Sequence, residues 1–208
     1  MKVLIETEAE DFLEKEKFPV AERKIVKDEN EALNAAKKIG FPLSMKIISH
    51  KILHKSDVGG VKYPLNSEDE IKKAFNELKK IEGFEGALVQ KFIPGQYVLV
   101  GLKKTNEFGH VLVFGLGGIF VEVMKDVSYR ICPVTNEDIR EMMKEIKGYK
   151  LLTGFRGSKV VNLKAIEDVL LRTSNLTKKF ENIKELDINP LVINEKEAVI
   201  VDARIVFE

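Results

Sequence analysis

Apolar residues recur along the chain with the period of either a helix or a strand, and they divide it into short alternating elements. Capping residues mark two of the helices. Asp28 precedes a helix that Gly40 stops, and a capping box at Ser67 opens a helix that extends to about Ile81. The predicted elements of this first part are a helix around Ala9–Leu13, helices over 29–39 and from Ser67 to about Ile81, and strands over Leu43–Ile48 and Ala87–Ile93.

The remainder of the chain is richer in strand patterns. Pro94 and Gly95 punctuate the chain after the strand that ends at Ile93, so we expect two lobes, 1–93 and 94–208, that meet there. The expected fold class is mixed α/β (α+β). The predicted elements of the second part are strands over Tyr97–Lys103, His110–Phe114 and Ile119–Met124, helices over Glu137–Lys147 and Leu163–Phe180, and a closing hairpin.

The closing hairpin combines the segments Glu185–Leu191 (ELDINPL) and Ala198–Arg204 (AVIVDAR), with a turn over 194–197. Pairing of Ile193 with Ala198 would set its register. Successive side chains of a strand point to opposite faces, so residues two apart share a face. The pattern therefore predicts that polar side chains of both strands collect on one face of the hairpin.

Three of those side chains carry oxygen atoms suited to a hard cation. In the predicted register, Asn189 lies opposite Asp202, and Asp187 lies opposite Arg204. Two carboxylates and an amide oxygen suit Mg²⁺, which keeps some of its waters and takes other ligands from phosphates. An exposed acidic hairpin with no ligand is the alternative interpretation of the hairpin by itself.

Two neighbouring segments carry groups that could bind phosphate. Lys46 lies within an apolar strand, where a cation needs a partner or access to solvent. The following segment, ILHKSDVGGV, supplies the His54 imidazole and the backbone of Gly59 and Gly60, whose amide groups could cradle phosphate oxygens. The alternatives are an outward-facing lysine and an ordinary glycine turn.

A second glycine-rich segment, VFGLGGIFVEV, contains Gly117 and Gly118. Its spacing is not GxGxxG, and the chain contains no P-loop, so these two nucleotide-binding classes are disfavoured. The glycines could let the backbone approach a ligand, or they could form a bend between core strands.

Composition narrows the classes of partner. Of the 208 residues, 44% are apolar, and 34 basic residues balance 33 acidic ones, so no global field attracts nucleic acid or an anionic membrane. Cys132 is the only cysteine, which rules out an internal disulfide. The early acidic residues do not fit a signal peptide, and no apolar run is long enough to span a bilayer. We therefore expect a cytoplasmic protein.

The segments that carry a resemblance to a known family are, in chain order, the strand containing Lys46, then HKSDVGGV, ALVQKFIPG, FGLGGIFVEV, GFRG, ELDINPL and VDAR. Through them, the chain closely resembles the β subunit of ADP-forming acyl-CoA synthetases, such as acetate–CoA ligase. A more distant likeness is to the succinyl-CoA synthetase β subunit. The resemblance covers nearly the whole chain. It implies an ATP-grasp fold of two lobes, with nucleotide bound between them and Mg²⁺ as cofactor.

The resemblance also implies roles for particular residues. His54 would relay a phosphoryl group, and Asn189 and Asp202, with Asp187 beside them, would hold Mg²⁺. Lys46 would hold the phosphates of ATP or ADP. The other implied or candidate nucleotide-binding residues are Gly59, Gly60, Val89, Gln90, Lys91, Phe92, Ile93, Gly117 and Gly118.

The implied reaction is acyl-CoA + ADP + phosphate ⇌ carboxylic acid + CoA + ATP. No segment of this chain resembles the family's CoA-binding domain or phosphohistidine loop, so a separate α subunit is expected to carry both, in a heterotetramer of the α2β2 type. Tyr97 stands where a glutamate is expected. It motivates the alternative of a non-catalytic ATP-binding module; a standalone carboxylate ligase of the same fold is a third hypothesis.

Overall fold

The structure is a computed structural model, and it describes residues 1–52, 55–117, 126–155 and 159–208. Contacts divide the chain into a smaller unit, Ala21–Ile93, and a larger unit formed by Met1–Val20 together with Pro94–Glu208. The first twenty residues thus differ from the predicted lobes. The reason is a non-local pairing, because Lys2–Ile5 forms an antiparallel ladder with Ala203–Phe207.

The observed mixture of helices and antiparallel sheets confirms the predicted fold class. None of the helices in the described ranges is long and apolar enough to cross a membrane. The described strands are β1 (Lys2–Ile5), β2 (Arg23–Val26), β3 (Leu43–Ile48), β4 (Val61–Leu65), β5 (Gly86–Lys91), β6 (Gln96–Thr105), β7 (Gly109–Leu116), β8 (Val127–Ile131), β9 (Ile183–Ile193), β10 (Ala198–Ile200) and β11 (Ala203–Phe207). The described helices are α1 (Thr7–Lys15), α2 (Glu29–Ile39), α3 (Glu68–Leu78), α4 (Asn136–Glu145), α5 (Tyr149–Leu152) and α6 (Leu163–Lys179).

The smaller unit is a four-stranded antiparallel sheet in the order β2-β5-β3-β4, with α2 and α3 packed against one face. Alternation along β3 buries Leu43, Met45 and Ile47 completely against these helices. Residues between them, including Lys46, therefore lie on the opposite face.

Local capping groups determine where the two helices of this unit begin. The Asp28 side chain accepts a hydrogen bond from the Glu31 amide at 2.8 Å, as the sequence predicts. Ser67 likewise accepts from the Glu70 amide at 3.2 Å, but the Glu70 carboxylate accepts from the amide of Asn66 rather than from that of Ser67. The predicted capping box is thus formed with the preceding residue, and α3 ends at Leu78 rather than near Ile81.

The larger unit is built on a seven-stranded sheet in the order β1-β11-β9-β6-β7-β8, with β10 also paired to β9. Helices α1, α4 and α6 bury their apolar residues against one face, together with inward-facing residues such as Val100, Phe114 and Ile188. The face without these helices, here called the open face, carries the alternate residues of each strand. On its central strands these are Tyr97, Leu99, Gly101 and Lys103 of β6, Glu185, Asp187 and Asn189 of β9, Arg204 of β11, and Asp202, which directly precedes β11.

The register of the closing hairpin is the predicted one. Ala198 pairs with Ile193, and Arg204 pairs with Asp187. The turn is held by Asn194, whose side-chain oxygen accepts hydrogen bonds from the amides of Lys196 at 2.9 Å and Glu197 at 3.1 Å. Short-range bonding of this kind explains why the sequence pattern alone was sufficient to predict the register.

Candidate functional site

The candidate metal ligands share the open face of the larger unit. Asp187 and Asn189 lie two residues apart on β9, and the Asn189 amide donates to the carbonyl oxygen of Asp202 at 3.2 Å. Asp187 is exposed, whereas Asn189 and Asp202 are half-buried. The hairpin therefore brings together the three side chains that the sequence singled out.

The electrostatics of this face favour a cation. Partial burial of the carboxylate raises the pKa of Asp187, and the negative charge of Asp202 raises it further. Arg204, directly opposite Asp187, lowers the pKa of Asp187, but its effect is smaller than that of Asp202. A bound cation would relieve the repulsion between the two carboxylates.

The donor set suits a hard divalent ion that is only partly coordinated by protein. In the parts of the chain that the structure describes, no group of three His, Cys, Asp or Glu residues could by itself hold a metal ion. A site at this hairpin would use two carboxylates, the Asn189 amide oxygen, and further oxygens from water or phosphate. That donor set is typical of Mg²⁺ at nucleotide sites.

Lys46 lies at the centre of the smaller sheet, on the face away from α2 and α3. It is half-buried, opposite Leu88 of β5 and Val61 of β4. The same face carries Ser44, whose hydroxyl donates to the carbonyl oxygen of Gln90 at 3.4 Å. The placement agrees with an anion-binding lysine and also with an outward-facing one, so both interpretations of the sequence stand.

The backbone of Gly59 and Gly60 does not support the predicted phosphate cradle. The Gly59 amide donates to Ser56 O at 3.1 Å, and the Gly60 amide donates to Lys55 O at 2.7 Å. A Cβ atom at Gly60 would lie 2.6 Å from the Ile47 side chain. In this arrangement both amides close the turn, and Gly60 is required by close packing.

The nucleotide-binding segment implied by the family resemblance, 89–93, is largely occupied by contacts within the smaller unit. Val89 is fully buried against the helices and Gln90 is 1% exposed. The amides of Lys91 and Phe92 donate to Glu22 O at 2.8 Å and Pro42 O at 3.1 Å.

Side chains of the same segment are also engaged. The Lys91 ammonium donates to the carbonyl oxygens of Gly40 at 2.9 Å and Phe41 at 2.7 Å, and the Phe92 ring stacks on Tyr63 with 5.5 Å between centroids. A base contacting this segment through an amide group would therefore have to use half-buried Ile93 rather than Lys91 or Phe92.

Gly117 allows two strands to approach closely. Its amide donates to Tyr97 O at 2.8 Å, and an added Cβ would lie 2.9 to 3.0 Å from backbone atoms of Tyr97 and Val98. This contact favours the core-bend interpretation of the glycine-rich segment. His54 and Gly118, and the strand predicted over Ile119–Met124, lie outside the described residues.

One residue beside the site was missed from the sequence, and so was one contact elsewhere in the larger unit. Gly101 is buried and pairs with Asp187 on the side of β9 that faces away from Arg204. Its signal was a glycine interrupting the apolar strand pattern of β6. Asp126 accepts from the amides of Lys147 at 2.8 Å and Gly148 at 2.7 Å, and no local pattern indicates that contact.

The family follows from comparison with known proteins. Residues 1–207 match the description of an ATP-grasp domain, and the chain belongs to that family. Within it, the chain is 41% identical over 211 residues to the β subunit of acetate–CoA ligase [ADP-forming] I from Pyrococcus furiosus, covering 98% of this chain and 91% of that subunit.

Other relatives are longer single chains or have known structures. Acetate–CoA ligase [ADP-forming] II of Archaeoglobus fulgidus is 44% identical, and the match covers 98% of this chain but 30% of that protein. A structure of Candidatus Korarchaeum cryptofilum acetyl-coenzyme A synthetase 1, in complex with coenzyme A, Ca-AMPCP and HgCl⁺, superposes with a TM-score of 0.92. It is 43% identical, and the match covers 100% of this chain and 94% of that one. The predicted family is thereby confirmed.

Proposed function

We propose that this chain is the nucleotide-binding β-type subunit of an ADP-forming acyl-CoA synthetase. It would exchange a phosphoryl group between ADP or ATP and a phosphohistidine of a partner during acyl-CoA + ADP + phosphate ⇌ acid + CoA + ATP. The observation that carries the proposal is the hairpin register, which brings Asp187, Asn189 and Asp202 together on the open face. The similarity to acetate–CoA ligases [ADP-forming] supports it.

The chemistry of each candidate residue assigns it a separate role. Asn189 and Asp202, with Asp187 beside them, would hold Mg²⁺, which supplies neutralisation of phosphate charge when bound. Lys46 would hold phosphate oxygens as a point charge. His54 would accept and donate the phosphoryl group, since an imidazole is a nucleophile that is largely neutral at physiological pH.

The partner in this proposal is a separate α-type subunit with a CoA-binding domain and a phosphohistidine, in an α2β2 assembly. Two relatives are named as β subunits, and the match covers 91% and 92% of their lengths. Structures of the Korarchaeum relative are described with coenzyme A, with Mg-AMPPCP and with a phosphorylated phosphohistidine segment. These structures support a division of the reaction between a nucleotide site and a phosphohistidine segment.

A non-catalytic nucleotide-binding module is the second candidate. Tyr97 favours it, because a 37% exposed tyrosine lies on the open face where the family resemblance implies a glutamate. Such a module would bind nucleotide but transfer no phosphoryl group. Phosphoryl transfer itself therefore separates the two hypotheses.

The test is a label-transfer assay with the purified chain, a CoA-binding α-type subunit, Mg²⁺ and ATP labelled in its γ-phosphate. We expect acid-labile, base-stable label on the α subunit that disappears when ADP is added. His54→Ala should abolish this transfer while leaving Mg·ADP binding largely intact. Asp202→Ala should weaken Mg-dependent nucleotide binding by more than about tenfold, because it removes a charged ligand of the metal.

Glu185→Gln is the matched control, since Glu185 lies on the same face of β9 but outside the candidate ligand set. It should transfer label like the wild type. Nucleotide binding without transfer to the α subunit would contradict the enzymatic proposal and favour the binding module. Equal nucleotide affinity with and without Mg²⁺ would contradict the metal assignment.

A further inference from the structure

A row of three residues crosses the open face beside the candidate metal site. Arg204 of β11 pairs with Asp187 of β9, and Asp187 pairs on its other side with Gly101 of β6. Arg204 is exposed, and Asp202 lies two residues before it on the same face. A guanidinium group thus lies next to two of the three groups proposed to hold Mg²⁺.

Gly101 leaves this row without a side chain on one side of Asp187. A Cβ at this position would have its nearest neighbour, the Leu186 carbonyl oxygen, at 3.3 Å, and the Val113 Cβ at 3.6 Å. The backbone there does not have a positive φ that would require glycine. Glycine within a strand often marks a place where a ligand or another backbone segment comes close, and here it leaves Asp187 without a neighbouring side chain from β6.

The charges of the row favour an anion when a cation is present. Without ligand, Arg204 partly offsets the two carboxylates, although its effect on the Asp187 pKa is smaller than that of Asp202. A divalent cation held by those carboxylates would neutralise them, and the guanidinium would then carry uncompensated positive charge. Its five N–H donors match phosphate oxygens in a paired, bidentate geometry.

We propose that Arg204 binds an oxygen of the terminal phosphate of a nucleoside diphosphate held at this hairpin. The inference rests on the proposed nucleotide-binding function and adds one residue to it. Arg204 would hold the phosphate that gains or loses the phosphoryl group, on the side of Asp187 opposite Gly101. In the absence of ligand, Arg204 has the separate role of partly balancing Asp187.

The test is isothermal titration calorimetry of ADP and of AMP, each with excess Mg²⁺, because AMP lacks the terminal phosphate. Arg204→Gln should weaken ADP binding by about tenfold or more, the value of a charge-assisted hydrogen bond, and AMP binding by less than about twofold. Arg204→Lys should recover part of the ADP affinity, since lysine keeps the positive charge but lacks the paired N–H donors of the guanidinium group.

Lys103→Gln is the matched control, because Lys103 is an exposed cation on the same face and pairs with Glu185 in the next row. It should leave both affinities unchanged. Thermal unfolding of every variant accompanies the titrations. Equal loss of ADP and AMP affinity in Arg204→Gln with a lowered Tm would identify a purely structural counterion and overturn the assignment.

The remaining outcomes separate the two levels of the proposal. If the wild type binds Mg·ADP and Arg204→Gln binds it equally well, the Arg204 assignment is wrong and the proposed function stands. If the wild type binds no ADP with Mg²⁺ present, both are wrong. A similar loss in Lys103→Gln would show a general effect of surface charge and would also overturn the specific role of Arg204.

Discussion

Replacing Asp187 by Asn is expected to stabilise the ligand-free protein near neutral pH, although it removes a proposed metal ligand. Partial desolvation of the Asp187 carboxylate and the charge of Asp202 raise the pKa of Asp187 in the folded state. At pH values between the ordinary pKa of an aspartate and the raised pKa of Asp187, the folded state therefore binds more protons than the unfolded chain. The free energy of unfolding must decrease as the pH rises through that window, and above it the full cost of the carboxylate is present.

The magnitude follows from the sheet geometry. Asp187 of β9 pairs with Arg204 of β11, and Asp202 lies two residues before Arg204. Asp187 and Asp202 are therefore diagonal neighbours on paired strands. Diagonal neighbours lie roughly 7 Å apart. Two unit charges at that separation repel by about 0.6 kcal/mol in water and about 2.4 kcal/mol at an effective dielectric constant of 20. Since Asp187 is exposed and Arg204 offsets part of the repulsion, we expect a gain of about 1 kcal/mol, or roughly 2–4 °C in Tm for a chain of this size.

Differential scanning calorimetry of the wild type and Asp187→Asn, in EDTA and from acid to pH 8, measures this effect. The stability difference should be fully present near neutral pH and should shrink only as the pH falls through the raised pKa of Asp187. Adding Mg²⁺ should then stabilise the wild type more than the variant, because only the wild type retains the carboxylate. Glu185→Gln, on the same face, is the control and should not reproduce the Mg²⁺ effect.

One result would refute the reasoning directly. If Asp187→Asn is less stable than the wild type near neutral pH in EDTA, the attraction of Arg204 outweighs both desolvation and Asp202. The two carboxylates would then not be in net conflict, and the electrostatic argument for a cation at this face would fail. An equal response to Mg²⁺ in both proteins would separately contradict the role of Asp187 as a ligand.

Two further predictions concern close packing at glycine and backbone hydrogen bonds. Gly60→Ala should lower the free energy of unfolding in urea by about 1–3 kcal/mol, because its Cβ would lie 2.6 Å from the Ile47 side chain and 2.8 Å from Lys55 O. Gly101→Ala, whose Cβ would have its nearest contact at 3.3 Å, should lower it less. Equal losses in the two variants would contradict the packing argument. Asp126→Ala should cost about 1–3 kcal/mol, because it leaves two backbone amides without their acceptor, and unchanged urea stability would show that water replaces those bonds.

The candidate metal site was predictable because its determinants are local in sequence. A turn closed by Asn194 and the alternation of side chains along two adjacent strands are sufficient to place Asp187, Asn189 and Asp202 on one face. The caps at Asp28 and Ser67 are local in the same way, since each side chain bonds an amide three residues away. Patterns of this range can be interpreted without knowing what packs against them.

The sequence by itself thus determined the mixed fold class, the caps and the register of the closing hairpin. Only the tertiary structure decided that the first strand joins the last one, that the Gly59 and Gly60 amides close their own turn, and that the amides of Lys91 and Phe92 bond to Glu22 and Pro42. It also decided that Gly101 of β6 lies beside Asp187, on the side away from Arg204. These features depend on which distant segment supplies the neighbouring hydrogen-bond partner, and alternation within one strand carries no information about its neighbours.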